Sequence, residues 1–198
     1  PVIRDINFNI YPGEFTALVG ENGTGKSTLA LTAAGLIKPS SGEVIFQGGK
    51  KPKPGLDVAL LFQNPQEQLF SNTVREEISF APENFGQLDL EDQKLLLQKT
   101  GLDMLQDRLP ATLSIGQQLR TALAASISIH PRLVILDEPT LGQDWGHLSS
   151  LMSYLDEINQ EGTAIILISH DYKLVHRYAR KVMLLENGQI TLQGKIKQ

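Results

Sequence analysis

The chain of 198 residues contains no cysteine, which excludes disulfide bonds and thiolate chemistry. No apolar run approaches the roughly 20 residues that a membrane-spanning helix needs. Lys and Arg total 18 against 22 acidic residues, giving a net charge of −4, and they form no basic block. We therefore expect no nucleic-acid partner. The opening PVIRDINFNIYPGEF is typical of a strand, so we expect no signal peptide there.

The chain does contain a series of apolar segments typical of buried strands. FTALV, DVALLF, RLVILDE, TAIILIS and KVMLL are nearly continuous apolar runs, as strands covered on both faces are. ENGQ, directly after KVMLL, is typical of a hairpin turn. Residues 2–10 alternate apolar and polar side chains, which predicts a half-buried strand, and residues 39–48 predict a turn and another strand.

Helical patterns separate these strands. Residues 26–36 predict a helix directly after FTALV, and apolar residues from Leu148 to Ile158 follow helical spacing. Helical patterns also dominate between residues 64 and 132. Alternating buried strands and helices predict an α/β fold whose mainly parallel sheet is covered on both faces. The helix-rich middle would be a subdomain inserted into that core.

The segment GENGTGKST, from Gly20 to Thr28, contains the complete phosphate-loop pattern G-x-x-x-x-G-K-[ST]. Glycines allow several N–H groups to converge on a phosphate at the positive end of the following helix. Lys26 would bridge the β- and γ-phosphates, and the Ser27 hydroxyl would bind Mg²⁺. The alternative is a glycine-rich turn without a ligand, but the full match between a strand and a helix favours a nucleoside triphosphate.

Two acids, Asp137 and Glu138, end the apolar run LVILDE. The carboxyl ends of buried parallel strands are where such sheets bind ligands. Asp137 would hold Mg²⁺, directly or through a water, and Glu138 would orient or deprotonate the attacking water. The alternative is a pair of acids that caps the next segment, which the phosphate loop in the same chain makes less favoured.

Other polar residues follow predicted strands. His170 follows AIILIS and would hydrogen-bond the γ-phosphate, although a single histidine is more often structural. Gln63 follows VALLF and would contact Mg²⁺ or its water, with a purely structural role an equal alternative. Three histidines lack such a setting and are interpreted as structural: His130, His147 and His176.

The segment LSIGQQLR, from Leu113 to Arg120, predicts a second anion site. Ser114 is a candidate N-cap for a helix that continues to about Ile127, and a Ser–Gly pair at a helix start is suited to an anion. Ordinary capping is the alternative. Since the chain has one phosphate loop, the simplest hypothesis is that Ser114 and Gly116 serve the nucleotide of another subunit.

Taken in order, these motifs resemble the ATP-binding-cassette ATPases over nearly the whole chain. The matches are the Walker A loop (Gly20–Thr28), Gln63, the signature (Leu113–Gln118), the Walker B strand (Leu133–Asp137) with Glu138, the D-loop (Leu141–Asp144) and His170. The resemblance implies a P-loop core with an N-terminal antiparallel β lobe and a helical subdomain. A single domain would then span 1–198, with the core and lobe in 1–70 and 132–198 and the helical subdomain in about 71–131.

The same resemblance implies a head-to-tail dimer that encloses ATP and Mg²⁺. The catalytic residues would be Glu138, His170 and Gln63, and the Mg²⁺ ligands Ser27, Gln63 and Asp137. The implied ATP contacts are Gly20, Glu21, Asn22, Gly23, Thr24, Gly25, Lys26, Ser27 and Thr28 and, from the opposing subunit, Ser114, Gly116 and Gln117.

A narrower resemblance rests on LLFQNPQEQLFSNTVREEISFAPENFG, which is similar to the same region of energy-coupling-factor ATPases. These power the uptake of vitamins and of cobalt or nickel ions. The resemblance implies a membrane component that docks near Gln63–Phe70, and hence a peripheral protein on the cytoplasmic face of the membrane.

Three features depart from the family pattern. Ile115 replaces the first glycine of LSGGQ, and isoleucine adds bulk and tolerates fewer backbone conformations. Gln143 stands where the D-loop commonly has an apolar residue. The aromatic that stacks on adenine normally lies at a position before Pro1.

Two other functions stay open at this point. A soluble cassette ATPase of DNA repair or translation would usually carry a coiled-coil insertion, a second cassette or a basic arm, and none is visible. A non-hydrolysing nucleotide switch is disfavoured by Glu138 and His170 together, whereas Ile115 keeps it possible.

Overall fold

The computed structural model describes residues 2–46, 48–140, 142 and 145–196. In the described residues, six strands form one sheet with the order β2-β3-β4-β1-β5-β6. Every neighbouring pair is parallel except β5 and β6. The strands are β1 (Phe15–Val19), β2 (Val58–Leu61), β3 (Leu133–Asp137), β4 (Ala164–Ile168), β5 (Lys181–Glu186) and β6 (Gln189–Lys195). The predicted α/β class with a mainly parallel sheet is confirmed.

The sheet separates two apolar clusters, because successive side chains of a strand point to opposite faces. In β3, Val134 and Leu136 join one cluster, whereas Leu133 and Ile135 join the other. Burial on both faces explains why the parallel strands are continuously apolar in sequence.

In the part of the chain that the structure describes, six α-helices pack against the two faces of the sheet. They are α1 (Lys26–Ala33), α2 (Val74–Asn84), α3 (Leu90–Lys99), α4 (Ile115–Ile127), α5 (Trp145–Gln160) and α6 (Tyr172–Tyr178), with short 3₁₀ turns at Pro65–Glu67, Asp103–Leu105 and Pro110–Thr112. Side chains of α1 pack in the cluster of Leu133, and those of α2 to α6 in the cluster of Val134. None of the described helices is both long and apolar enough to cross a membrane.

Helix and turn signals in the sequence correspond to observed boundaries. The side chains of Thr73, Asp89 and Ser114 accept backbone N–H groups at the starts of α2, α3 and α4. The hairpin between β5 and β6 turns at Asn187 and Gly188, whose φ angles are 48° and 76°. Two positive φ angles are the requirement of the turn predicted from ENGQ.

The predicted strands at 2–10 and within 39–48 are wrong for the described residues. Ile3, Ile6, Phe8 and Ile10 do pack against the Leu133 cluster, which explains the alternation. Their backbone, however, forms no ladder, and residues 39–46 and 48–50 contribute one isolated antiparallel bridge, between Phe46 and Lys50. The alternation of apolar and polar residues here therefore results from burial of one side of the segment and not from strand pairing. The expected N-terminal antiparallel lobe has no strands of its own among these residues.

Candidate functional site

The phosphate loop joins the carboxyl end of β1 to α1. Gly25 has a φ of 104° and is the N-cap of α1, and a Cβ there would lie 2.5 Å from Cγ2 of Ile3. A Cβ on Gly20 would lie 2.2 Å from the carbonyl oxygen of Leu185. Both glycines are therefore required by the path of the loop. No side chain caps the start of α1, which leaves its first N–H groups directed at the loop.

Lys26 lies beneath this loop. Its Nζ donates hydrogen bonds of 2.8 Å to the carbonyl oxygens of Gly20 and Glu21, and the residue is 8% exposed. An ammonium group has three hydrogens, so one remains for an anion in the loop. The neighbouring Ser27 is exposed at the start of α1.

Sheet order brings three distant residues together beside this loop. Because β4 lies between β3 and β1, His170 after β4 is placed between Glu138 after β3 and Asn22 after β1. His170 Nε2 lies 3.0 Å from Asn22 Oδ1 and 3.3 Å from Glu138 Oε1. Asn22 Oδ1 is an acceptor as assigned, so its hydrogen bond favours the tautomer with the proton on Nε2. Glu138 Oε1 lies near the same nitrogen but has no hydrogen-bond partner among the described residues.

Glu138 is held at the ligand end of the sheet. Its backbone N–H donates to the Ile168 carbonyl at 2.9 Å, and its φ is 52°, a left-handed conformation that is rare for glutamate. Burial is the largest influence on its carboxyl and raises the pKa above the ordinary 4.5. The charge and the backbone of His170 offset part of this rise. The nearby charge of Asp137 raises the pKa further, and that of Lys26 lowers it. A carboxyl with a raised pKa beside a histidine is suited to proton transfer.

The oxygen atoms of the predicted metal site lie at the same end of the sheet, where the parallel strands finish. Asp137 is the last residue of β3 and is 9% exposed, while Ser27 opens α1 and Gln63 is exposed beyond β2. Within the described part of the chain, no three His, Cys, Asp or Glu residues form a metal-binding group. Mg²⁺ needs no such group, since it is commonly held by one or two protein oxygens together with substrate phosphates. The residues therefore fit a Mg²⁺–nucleotide complex and not an all-protein cage.

The predicted second anion site forms the start of α4. Ser114 Oγ accepts the Gln117 N–H at 3.3 Å, and the Ser114 N–H donates to Gln117 Oε1 at 3.0 Å. This is the reciprocal arrangement of a capping box. In the described residues the hydrogen bonds of Ser114 and Gln117 stay within α4 and join neither side chain to the chain's own phosphate loop.

Ile115 is the first residue of α4 and adopts an ordinary helical conformation. The expected backbone restriction is therefore absent at this position. Its bulk does have a consequence, because a Cβ added to Gly142 would lie 2.9 Å from Cγ2 of Ile115. Gly142 has a φ of 67°, and the other D-loop residues, Leu141, Gln143 and Asp144, lie outside the described residues.

Several polar residues that the sequence analysis did not single out brace the segment after Gln63. The Gln68 amide accepts the Phe62 N–H at 2.9 Å and donates to the Leu60 carbonyl at 2.7 Å. The buried Glu77 carboxylate accepts the N–H groups of Phe70 and Ser71 at 2.9 and 2.7 Å. The one signal for these contacts in the sequence is the density of Gln and Asn in FQNPQEQ.

Among the other histidines, His130 forms an exposed pair with Asp92, with 2.9 Å between Nε2 and Oδ2. It has no contact with the phosphate loop among the described hydrogen bonds, which agrees with a structural role.

Sequence comparison places these motifs among known proteins. A model of the family described as ABC transporter matches residues 3–141. The chain is 36% identical over 204 residues to the energy-coupling factor transporter ATP-binding protein EcfA of Methanothermobacter thermautotrophicus. The match covers 98% of this chain and 66% of that protein, just under two thirds of its length. It is 38% identical over 207 residues to EcfA of Methanocaldococcus jannaschii, covering 100% of this chain and 74% of that protein.

A solved structure gives the same result for the fold. The chain is similar to cbiO1 from Clostridium perfringens, described as part of the ABC transporter complex cbiONQ, with a TM-score of 0.81 and 36% identity. The superposition covers 98% of this chain and 82% of that one.

Proposed function

This chain belongs to the ABC transporter family of ATP-binding proteins, and we propose that it is the ATP-hydrolysing subunit of an energy-coupling-factor-type importer. The names of its relatives support that class of transporter. We further propose that the solute is a vitamin or a metal ion, as the resemblance of the segment around Gln63 implies.

The observation that carries hydrolysis is the position of His170 between Asn22 of the phosphate loop and Glu138. A water between Glu138 and a bound γ-phosphate would meet a carboxylate able to accept its proton. His170 would hold the γ-phosphate and steady Glu138 at the same time. A chain that only bound nucleotide would not need this acid and histidine in contact.

In this proposal each nucleotide-binding residue has a separate role. The N–H groups of Gly20–Thr28 surround the phosphates, and Lys26 turns its ammonium group toward the β- and γ-phosphates. Ser27, Asp137 and Gln63 would supply oxygens to Mg²⁺, which would neutralise phosphate charge when bound.

We propose that the partner cassette completes each site. Ser114, Gly116 and Gln117 would face the nucleotide of a second ATPase subunit, head to tail. The exposed start of α4, at Ser114 and Ile115, supports this arrangement. The partner would be a second copy or a related cassette.

A membrane component is proposed to dock beside Gln63–Phe70. Phe70 is 65% exposed, and its ring lies 4.7 Å from that of Phe80, which is 49% exposed. Leu69 instead packs against the core, so it anchors the segment. An exposed aromatic pair next to a braced loop is suited to an apolar partner helix. The chain would then lie on the cytoplasmic face of the membrane, with residues 71–131 as the helical subdomain.

The test is to purify the chain through an affinity tag from membranes of its own source and to measure ATP hydrolysis by the recovered complex. Glu138→Gln should lower kcat by about 100-fold or more, because the amide accepts no proton, while ATP binding persists. Lys26→Ala, as a matched control, should lose ATP binding itself.

Two outcomes would contradict the proposal. Recovery of an active ATPase without any membrane protein would favour a soluble cassette. Hydrolysis by the Glu138→Gln complex at the rate of the unmodified complex would mean that another group handles the water.

A further inference from the structure

The Gln118 side chain connects two segments that are distant in sequence. Gln118 lies in α4 and is 2% exposed. Its Oε1 accepts from Gln66 Nε2 at 3.2 Å, across 52 residues of sequence. Its Nε2 donates to the Pro110 carbonyl at 3.2 Å. Gln66 belongs to the loop that carries Gln63, and Pro110 begins the turn that leads into Ser114.

The orientation of this buried amide is set by its partners. The Pro110 carbonyl only accepts, so it must face the NH₂ group of Gln118. The Gln118 oxygen then points to Gln66, which has to donate. Because Gln118 is buried, water would replace neither bond at low cost.

The loop at Gln66 is held on its other sides by bonds that do not reach α4. Gln68 ties it to the end of β2, and Glu77 ties residues 70–71 to α2. The side chain of Asn64 accepts the Gln66 N–H at 3.3 Å and so fixes the local turn. The hydrogen bond from Gln66 to Gln118 joins this loop to α4, against which the turn Pro65–Glu67 also packs.

We infer that Gln118 is a positioning residue that holds the loop of Gln63 and the turn before Ser114 as one body. The role of this link in turnover rests on the proposed function. In that function the Gln63 loop contacts Mg²⁺ and the membrane component, and the Ser114 segment completes the nucleotide-binding site of the partner subunit. A displacement at one segment would be transmitted to the other through two hydrogen bonds and one buried side chain.

The first test uses the isolated chain and no partner. Gln66→Ala removes one bond from an exposed position, so its effect on folding should be small. We expect faster hydrogen exchange at the backbone amides of residues 112–117, which Gln66 does not itself contact. Gln98→Ala, at an exposed position of α3, is the matched control and should leave that exchange unchanged. Equal exchange in both variants would overturn the inference.

The second test is a double-mutant cycle in the complex recovered from membranes. Gln66→Ala should lower kcat by roughly three- to tenfold, the size of one lost neutral hydrogen bond, with the KM for ATP unchanged. Gln118→Leu removes both bonds of this side chain and should lower kcat by at least as much. The double variant should lose no more than the stronger single variant. Losses that multiply would mean that the two residues act independently.

A third variant separates the two bonds. Gln118→Glu, measured at a pH at which the new carboxyl is ionised, keeps an acceptor for Gln66 but loses the donor to Pro110, so exchange at residues 112–117 should rise in it as well. Exchange at the level of the unmodified chain in that variant would overturn the role of Pro110.

If Gln118→Leu does not fold, Gln66→Ala and its exchange measurement decide the inference. A complex that does not hydrolyse ATP would refute the proposed function and leave the exchange test intact.

Discussion

The Glu138 side chain combines a charge with a partly buried position. It is 20% exposed, and burial raises the pKa of its carboxyl above the ordinary 4.5. The unfolded chain titrates this group at its ordinary pKa, so the folded state binds more protons between the two values. The free energy of unfolding therefore falls as the pH rises through that window, and above it the full cost of the buried charge is present.

Glu138→Gln should for this reason raise the melting temperature of the isolated chain at pH 7. The difference from the unmodified chain should shrink as the pH falls below 4.5, where the carboxyl is protonated in both states. Melting curves across this range check the expectation, with Glu43→Gln at an exposed position as the control. A lower melting temperature for Glu138→Gln at pH 7 would mean that the attraction of His170 outweighs burial.

At the scale of elements, the segment from β2 to α2 is a polar scaffold that presents an aromatic pair. Gln68 and Glu77 use side chains to satisfy backbone groups of an irregular loop, which keeps the loop ordered without strand or helix. Leu69 and Phe70 are adjacent and both apolar, yet Leu69 packs inward and Phe70 outward. Two adjacent apolar residues in a polar loop do not by themselves indicate which of them anchors the loop.

Phe70→Glu should weaken recovery of the membrane component while leaving ATP affinity of the isolated chain unchanged, because the ring lies on the surface and away from the phosphate loop. Leu192→Glu, at a 53% exposed position on β6, is the matched control and should leave recovery unchanged. Loss of ATP binding together with the partner in Phe70→Glu would instead assign Phe70 an anchoring role.

At the scale of the whole molecule, the start of α4 and the phosphate loop belong to different halves of a proposed two-chain site. Ile115 is 48% exposed at the start of α4, so it would lie against the partner's nucleotide or beside it. Its side chain also fills the space against Gly142. Its bulk, and not its backbone conformation, is the property that departs from the family pattern.

Ile115→Gly should raise turnover at the partner's Walker A site and leave this chain's own site unchanged. The increase should be roughly 10- to 100-fold, within the contribution of one transition-state donor. Turnover at the partner's site is measured in a dimer in which Glu138→Gln disables this chain's own site. Turnover at this chain's own site is measured in a second dimer in which the partner's site is disabled. A response of the chain's own site alone would contradict the head-to-tail arrangement, and no response would make Ile115 neutral.

The sequence by itself determined the phosphate loop, the buried strands with their acids and the start of α4 at Ser114. These depend on local chemistry, namely glycine at positive φ, continuous apolar runs and a hydroxyl at an N-cap. Tertiary structure decided which of these segments meet. His170 and Asn22 are 148 residues apart and touch because β4 lies between β3 and β1. Strand order depends on how the chain crosses the sheet, which no local pattern specifies. The same is true of the bond between Gln66 and Gln118 and of the backbone of residues 2–10, which forms no ladder with the sheet.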